Sequence, residues 1–337
     1  MTIELKPIGS GFLLIFLFFY LISGPLMARA ANGVKALDGK VICIDPGHGG
    51  TAATDSYRVG PSGEREEWIN LRVALYLSDM LEEAGAKVVL TRISDTFVSL
   101  ADRSKIALDN EADIFISIHH NATADSKVNF PIIYFHGSAR ENQSSVVLGN
   151  KVAEKLVGHL FKGKGPYSLV SDYTIFSTSG ASVLRGTYGI PAIIGEATFF
   201  TSSKEEKRLK RTDYNKKEAL AYFEAITMFF KETDTIRISE KEDPSTVEPF
   251  EVFQEADRMR PEAKKWKSNY KKGKKLLKKG GEERLKKAYD LLTLSVRSFP
   301  DSYVAKDCHE LRVEILEKQQ KIKAAEMEEN RLLIFYP

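Results

Sequence analysis

The run Val41-Ile42-Cys43-Ile44-Asp45-Pro46-Gly47-His48-Gly49-Gly50 decides the fold. Four apolar residues in a row, bounded by Gly39 and by Asp45-Pro46-Gly47, read as a strand covered on both faces. Downstream, Ile69, Val73, Leu77, Met80 and Ala84 recur at helical spacing, and Gly85 stops that helix. Lys87 to Thr91 predicts the next strand, 100–110 the next helix, and Ile114 to Ile118 a third buried strand. Ile132 to Phe135 and Ala192 to Ile194 are further strand candidates, with helices over 143–160 and 203–231. Such alternation predicts an α/β domain over 39–231, a twisted, largely parallel sheet with helices on both faces.

Near Thr233 the composition changes. Residues 232–260 read as a polar linker punctuated by Pro244 and Pro249. From 261 to 330 every segment reads as helix: 261–279, stopped by Gly280-Gly281, then 283–298, then a third running to about Asn330. The fold class is therefore α/β followed by a small all-α C-terminal region. Tyr270-x-x-Gly273, Ala288 and Phe299-Pro300 resemble one tetratricopeptide-type helical hairpin. Nine lysines between Lys264 and Lys279 make the first of these helices strongly basic. That is either a solvated face or a surface for anionic envelope polymers or lipid headgroups.

Of the 337 residues 43% are hydrophobic and 10% aromatic, which excludes wholesale disorder and leaves room for about two domains. The 49 basic and 46 acidic residues leave +3, which points to no nucleic-acid partner. Two cysteines cannot form a disulfide framework, and Cys43 and Cys308 read as buried thiols. At the N-terminus an apolar block, Phe12 to Ile22, precedes Ala28-Arg29-Ala30. It is short of the roughly 20 residues that span a bilayer. Residues 1–30 thus predict a cleaved signal peptide, with an uncleaved anchor as the alternative. The chain would be exported, to the periplasm or cell envelope.

Three strand ends carry chemistry-bearing residues. Asp45-Pro46-Gly47-His48 leaves the first strand, Ser117-Ile118-His119-His120-Asn121 the third, and Glu196 follows Ala192-Ile193-Ile194. Open α/β sheets place their sites at such carboxyl ends. His119 and His120 point to opposite faces, so one is a ligand candidate and the other its neighbour. Two histidines and a carboxylate suit a catalytic zinc with one open position. A separate carboxylate must then take a proton, and Glu64, Glu66 and Glu67 add three more acids at a helix start.

In this order and spacing, Asp45-Pro46-Gly47-His48-Gly49-Gly50, Glu66 five residues before Leu71, Ser117-Ile118-His119-x-Asn121-Ala122 and Glu196 resemble the zinc-dependent N-acetylmuramoyl-L-alanine amidases (type 3) of bacterial cell walls. The resemblance spans about 39–231. It implies one Zn2+ held by His48, Glu66 and His119, with Glu196 as the catalytic carboxylate. The implied reaction cuts the amide between N-acetylmuramic acid and L-alanine in peptidoglycan. Arg185, His120 and Asn121 become candidate substrate contacts, although the family usually has a small residue where this chain has His120. An envelope activator or scaffold acting through the C-terminal helices is a further expectation. Two other functions share these residues: a non-catalytic wall-binding scaffold on an amidase fold, and a zinc peptidase cutting elsewhere in the stem peptide.

Overall fold

A computed structural model describes residues 35–50, 58–123, 125–233, 247–253, 255–258 and 260–337. The predicted signal peptide lies outside the described residues. Lys35–Pro337 forms one compact unit.

The element order is β1 (Val41–Pro46), α1 (Glu66–Glu83), β2 (Lys87–Leu90), α2 (Leu100–Asp109), β3 (Ile114–Asn121), β4 (Ile132–Phe135), α3 (Gln143–Leu160), β5 (Ser168–Ser171), α4 (Ser182–Gly186) and β6 (Ala192–Phe199). There follow α5 (Ser203–Leu209), α6 (Thr212–Glu232), α7 (Glu255–Arg258), α8 (Trp266–Lys279), α9 (Glu282–Ser298), α10 (Ala305–Lys318) and α11 (Ile322–Phe335). The strands form a six-stranded sheet in the order β2-β1-β3-β6-β4-β5. Every neighbouring pair is parallel except β4 with β6. The sheet is thus largely parallel, as the uninterrupted apolar runs require.

Alternation along each strand sorts its side chains into two cores. Ile42, Ile44, Ile114, Ile116 and Ile118 face one layer, made by α1, α3 and α6. Cys43, Phe115, Tyr134, Ala192 and Phe199 face the other. That second layer contains α2 and α4, and also the C-terminal helices: Trp266, Leu277, Leu292, Val296 and Phe299 belong to the same core. Phe299 packs on Phe130 (5.8 Å between ring centroids) and on Phe199 (6.3 Å), while Tyr303 meets Phe130 edge-on at 4.9 Å. The hydroxyl of Tyr134 on β4 donates to Asp301 in the α9–α10 turn.

Several expected boundaries move. The 203–231 helix is two helices, α5 and α6, turning at Lys210-Arg211. The third C-terminal helix is also two. Gln320 takes a left-handed φ of 58°, and Lys321 N–H bonds back to Leu316 O at 2.9 Å, closing α10 before α11 begins. The described second half of the linker is packed rather than free: Val247 is buried, and Phe253 N–H donates to Arg297 O at 2.8 Å. β5 and α4 are elements the sequence reading lacks. Cys43 and Cys308 are free and buried, as read.

Candidate active site

The carboxyl ends of β1, β3 and β6 lie side by side, and they place His48, His119 and Glu196 together. Two buried arginines shape the loop after β1. Arg92 donates to Pro46 O (2.8 Å) and Gly47 O (2.9 Å), and Arg103 to Asp45 Oδ1 (2.7 Å), Pro46 O (2.9 Å) and His48 O (2.5 Å). His48 is held at a left-handed φ of 59°, a conformation an L-residue keeps only when its surroundings impose it. Gly47 is required next to it: a Cβ there would stand 2.2 Å from His119 Nε2.

His48 Nε2 lies 3.1 Å from Glu66 Oε2, and His119 Nδ1 lies 3.0 Å from Glu66 Oε1. The two imidazoles meet edge to face at 4.7 Å. One ligand atom from each of His48, Glu66 and His119 falls within 4.8 Å of the others, a cluster able to hold a metal ion. Burial opposes charge on Glu66, but the flanking His48 and His119 prevail and hold its carboxyl well below the usual carboxylate range. An ionised oxygen between two imidazole nitrogens is the donor set a borderline-soft dication takes. The neighbouring acids are committed elsewhere. Glu67 pairs with Arg65, and Glu64 Oε1 accepts from Arg72 Nη2 at 2.5 Å.

Glu196 sits opposite His119 in the β3–β6 ladder, on the same face of the sheet. Its residue is half-buried, but Oε2 is buried and has no hydrogen-bond partner. Burial pushes its carboxyl up to about 7, with His119 pulling against the shift and Glu66 adding to it. Just beyond, two steps along β3 from His119 to Asn121 span three along β6, from Glu196 to Phe199. This bulge turns Phe199 onto the same face as Glu196.

His120 is corrected. As strand alternation demands, its ring leaves the site and is buried under α6, 1% exposed, where no substrate reaches. Its Nε2 lies 3.0 Å from Glu218 Oε2 and its Nδ1 2.8 Å from Asn70 Oδ1. The Asn70 amide nitrogen donates to Gly47 O and to Glu66 Oε1, both at 3.3 Å, so its oxygen must face His120 and accept. Glu218 also accepts, so His120 carries both protons, and burial against this is overcome by the Glu218 charge. The His120 backbone N–H closes the chain by donating to Glu66 Oε1 at 3.1 Å. Asn70 and Glu218 were missed in the sequence. The available signal was position: each interrupts an apolar helical stripe, Asn70 with Val73 and Leu77, Glu218 with Tyr222 and Ala225.

Arg185 is not brought to the cluster. Its guanidinium turns back onto Ser179 O (2.8 Å) and Gly180 O (3.2 Å) at the exposed end of α4. Asn121 stays at the rim, half-buried, with Oδ1 accepting from Ala122 N–H at 2.8 Å.

The N-acetylmuramoyl-L-alanine amidase family (Amidase_3) matches residues 42–228, more than half of the chain. The uncharacterized protein YqiI of Bacillus subtilis (strain 168) is 32% identical over 205 residues, 60% of this chain and 91% of that one. The N-acetylmuramoyl-L-alanine amidase AmiA of Escherichia coli (strain K12) is 27% identical over 245 residues, 60% of this chain and 83% of that one. Among solved structures, the CwlD amidase from Clostridioides difficile, in complex with the GerS lipoprotein, is similar at 25% identity and a TM-score of 0.50. That match covers 57% of this chain and 98% of CwlD.

Proposed function

The chain belongs to the N-acetylmuramoyl-L-alanine amidase family, and from that premise we propose that it is an exported zinc amidase in which His48, Glu66 and His119 hold the ion and Glu196 moves the proton. The observation that carries this reading is the convergence of the three donors within 4.8 Å, with the unpartnered Glu196 carboxyl directly across the ladder from His119.

The donor set favours zinc over magnesium or calcium, which want oxygen ligands. When bound, zinc supplies Lewis acidity toward the scissile carbonyl and lowers the pKa of water. The rest is the work of side chains. Glu66, kept ionised and oriented by Asn70 and the His120 N–H, supplies the anionic ligand. Glu196 accepts a proton from the attacking water and returns it to the leaving nitrogen of L-alanine. Its raised pKa suits a group that must both take and give a proton near neutral pH. The bond cut joins the lactyl carbonyl of N-acetylmuramic acid to L-alanine, and no covalent intermediate is needed.

Among the described residues no helix is long and apolar enough to cross a membrane. Export rests on the N-terminal sequence and on the location of the substrate in the wall. An envelope activator is a second element of this reading, favoured by one observation: the similar CwlD amidase was solved with a lipoprotein.

The test incubates the compact unit from Lys35, and its Glu196→Ala variant, with purified peptidoglycan and zinc, and identifies soluble products by mass. Stem peptides beginning at L-alanine, from the parent alone, are expected. Peptides cut after L-alanine would make it a peptidase. Zinc binding with wall retention but no release would make it a binding module.

A further inference from the structure

Lys264, Lys265, Lys267, Lys271, Lys272, Lys274, Lys275, Lys278 and Lys279 are all exposed, and the stretch they occupy holds no acidic residue. None forms an ion pair with a described residue; Asp307 on α10 accepts instead from Tyr270 OH at 2.6 Å. Lys264 and Lys265 stand on the short turn that leads into α8, and at about 100° per residue the seven lysines from Lys267 to Lys279 fall within roughly half the helix circumference, along roughly 18 Å of axis. The opposite face is the apolar one, with Trp266, Gly273 and Leu277 buried.

This arrangement works against the helix itself. Like charges recur at i,i+3 and i,i+4, each pair costing about 0.2–0.5 kcal/mol. The first three lysines also stand at the positive end of the helix dipole. A chain of net charge only +3 has concentrated nine lysines in sixteen residues, and of these Lys274 feels nearby acids, Asp307 and Glu310 on α10. The buried face of α8 is tied to the core under β6. Trp266 packs on Phe299 (5.1 Å), which packs on Phe199, three residues past Glu196; Lys267 lies 5.3 Å from the Tyr303 ring, which packs on Phe130.

We propose that the lysine face of α8 is a secondary binding surface for the carboxylate-bearing stem peptides of the peptidoglycan that the site cuts. The proposal rests on the amidase reading above. Three features favour a peptide polymer over a bilayer or a phosphate polymer. No exposed apolar side chain stands among the lysines to enter hydrocarbon. A fan of charges over half a helix suits a flexible strand that drapes around it, whereas a flat surface meets only its crest. The stretch contains no arginine, the residue whose planar fork pairs with phosphate, and lysine point charges suit scattered carboxylates.

The test measures co-sedimentation of the unit Lys35–Pro337, in a Glu196→Ala background that leaves the polymer intact, with sacculi stripped of phosphate polymers. A variant carrying Lys271→Gln, Lys272→Gln, Lys275→Gln and Lys278→Gln is expected to bind roughly tenfold or more weakly at low salt. The difference should vanish at about 0.5 M salt. The same four positions changed to Arg should restore binding, which separates charge from folding. Equal retention of the Gln variant overturns the proposal. So does a loss seen only with unstripped sacculi, or only with phosphatidylglycerol vesicles. Cleavage of a soluble muramyl peptide, with Glu196 restored, is read separately and should match between parent and Gln variant. Failure of the parent there refutes the amidase and leaves the retention result standing.

Discussion

Glu218, on α6 beneath the sheet and outside the His48–Glu66–His119 cluster, should control how tightly the metal is held. Its Oε2 lies 3.0 Å from His120 Nε2, and both side chains are fully buried. At an effective dielectric near 20, two unit charges at that separation attract by about 5.5 kcal/mol before desolvation is subtracted. Removing one partner of such a pair typically costs about 3–5 kcal/mol, because the survivor is left buried and unmatched. Glu218→Ala should therefore lower stability by about that amount, read from the urea midpoint at unchanged m. Glu218→Gln keeps the shape and one acceptor, so its effect on folding should be smaller. It still relaxes the chain through His120 and Asn70 to Glu66, and outer partners of this kind are worth about 10–100-fold in metal affinity. Zinc competition against a chromogenic chelator measures this without substrate. If Glu218→Gln binds zinc as the parent does, and Glu218→Ala unfolds at the parent's midpoint, the chain from α6 to Glu66 carries no weight and the reasoning fails.

Gly47→Ala should abolish zinc binding while leaving the circular dichroism spectrum intact, since its Cβ would enter the space of the His119 ring; stoichiometric zinc would contradict it. Phe299→Ala should cost about 3–5 kcal/mol, because the ring joins Trp266, Phe130 and Phe199 in one core; a loss below about 1 kcal/mol in urea titration would mean the two regions barely lean on each other. Acid stability should depend on Glu328, whose carboxyl burial would raise but His309 and Arg312 hold well below 4.5. A lowered acid pKa contributes stability above the unfolded value and loses it as pH falls through the folded one. Buried His309, its pKa lowered, begins the decline below about 6.5. Glu328→Gln should flatten the stability profile below pH 4.5, and an unchanged acid limb would show the pair does not titrate with folding.

The parallel strands and their site-bearing ends were legible because burial on both faces writes itself as unbroken apolar runs, and because the runs of β1, β3 and β6 give way to His48, His119 and Glu196. Alternation alone also separated His119 from His120. It could not say what His120 does, since its partner lies 98 residues away and no local period encodes that. The choice among Glu64, Glu66 and Glu67 needed the resemblance: all three occupy one helix start, and only the arginines that take Glu64 and Glu67 distinguish them. β5 escaped notice because Ser168 to Ser171 holds only two apolar residues. The docking of the C-terminal helices was invisible for a different reason. Phe130, Phe199, Phe299 and Tyr303 read as ordinary aromatics in separate segments, and their contact is a property of the folded sheet.

That docking separates two notions of a unit. The family resemblance stops at residue 228, and CwlD is covered almost entirely by a match that takes just over half of this chain. The matched piece therefore ends before the C-terminal helices that join α2 and α4 over the second face of the sheet. Physically the piece ends elsewhere, because Tyr134, Phe130 and Phe199 are also covered by residues after 260. Both regions should therefore melt together in a single calorimetric transition. In practice the catalytic part cannot be lifted out at the boundary the homology draws, and chimaeras spliced there should inherit a raw face in place of a finished enzyme.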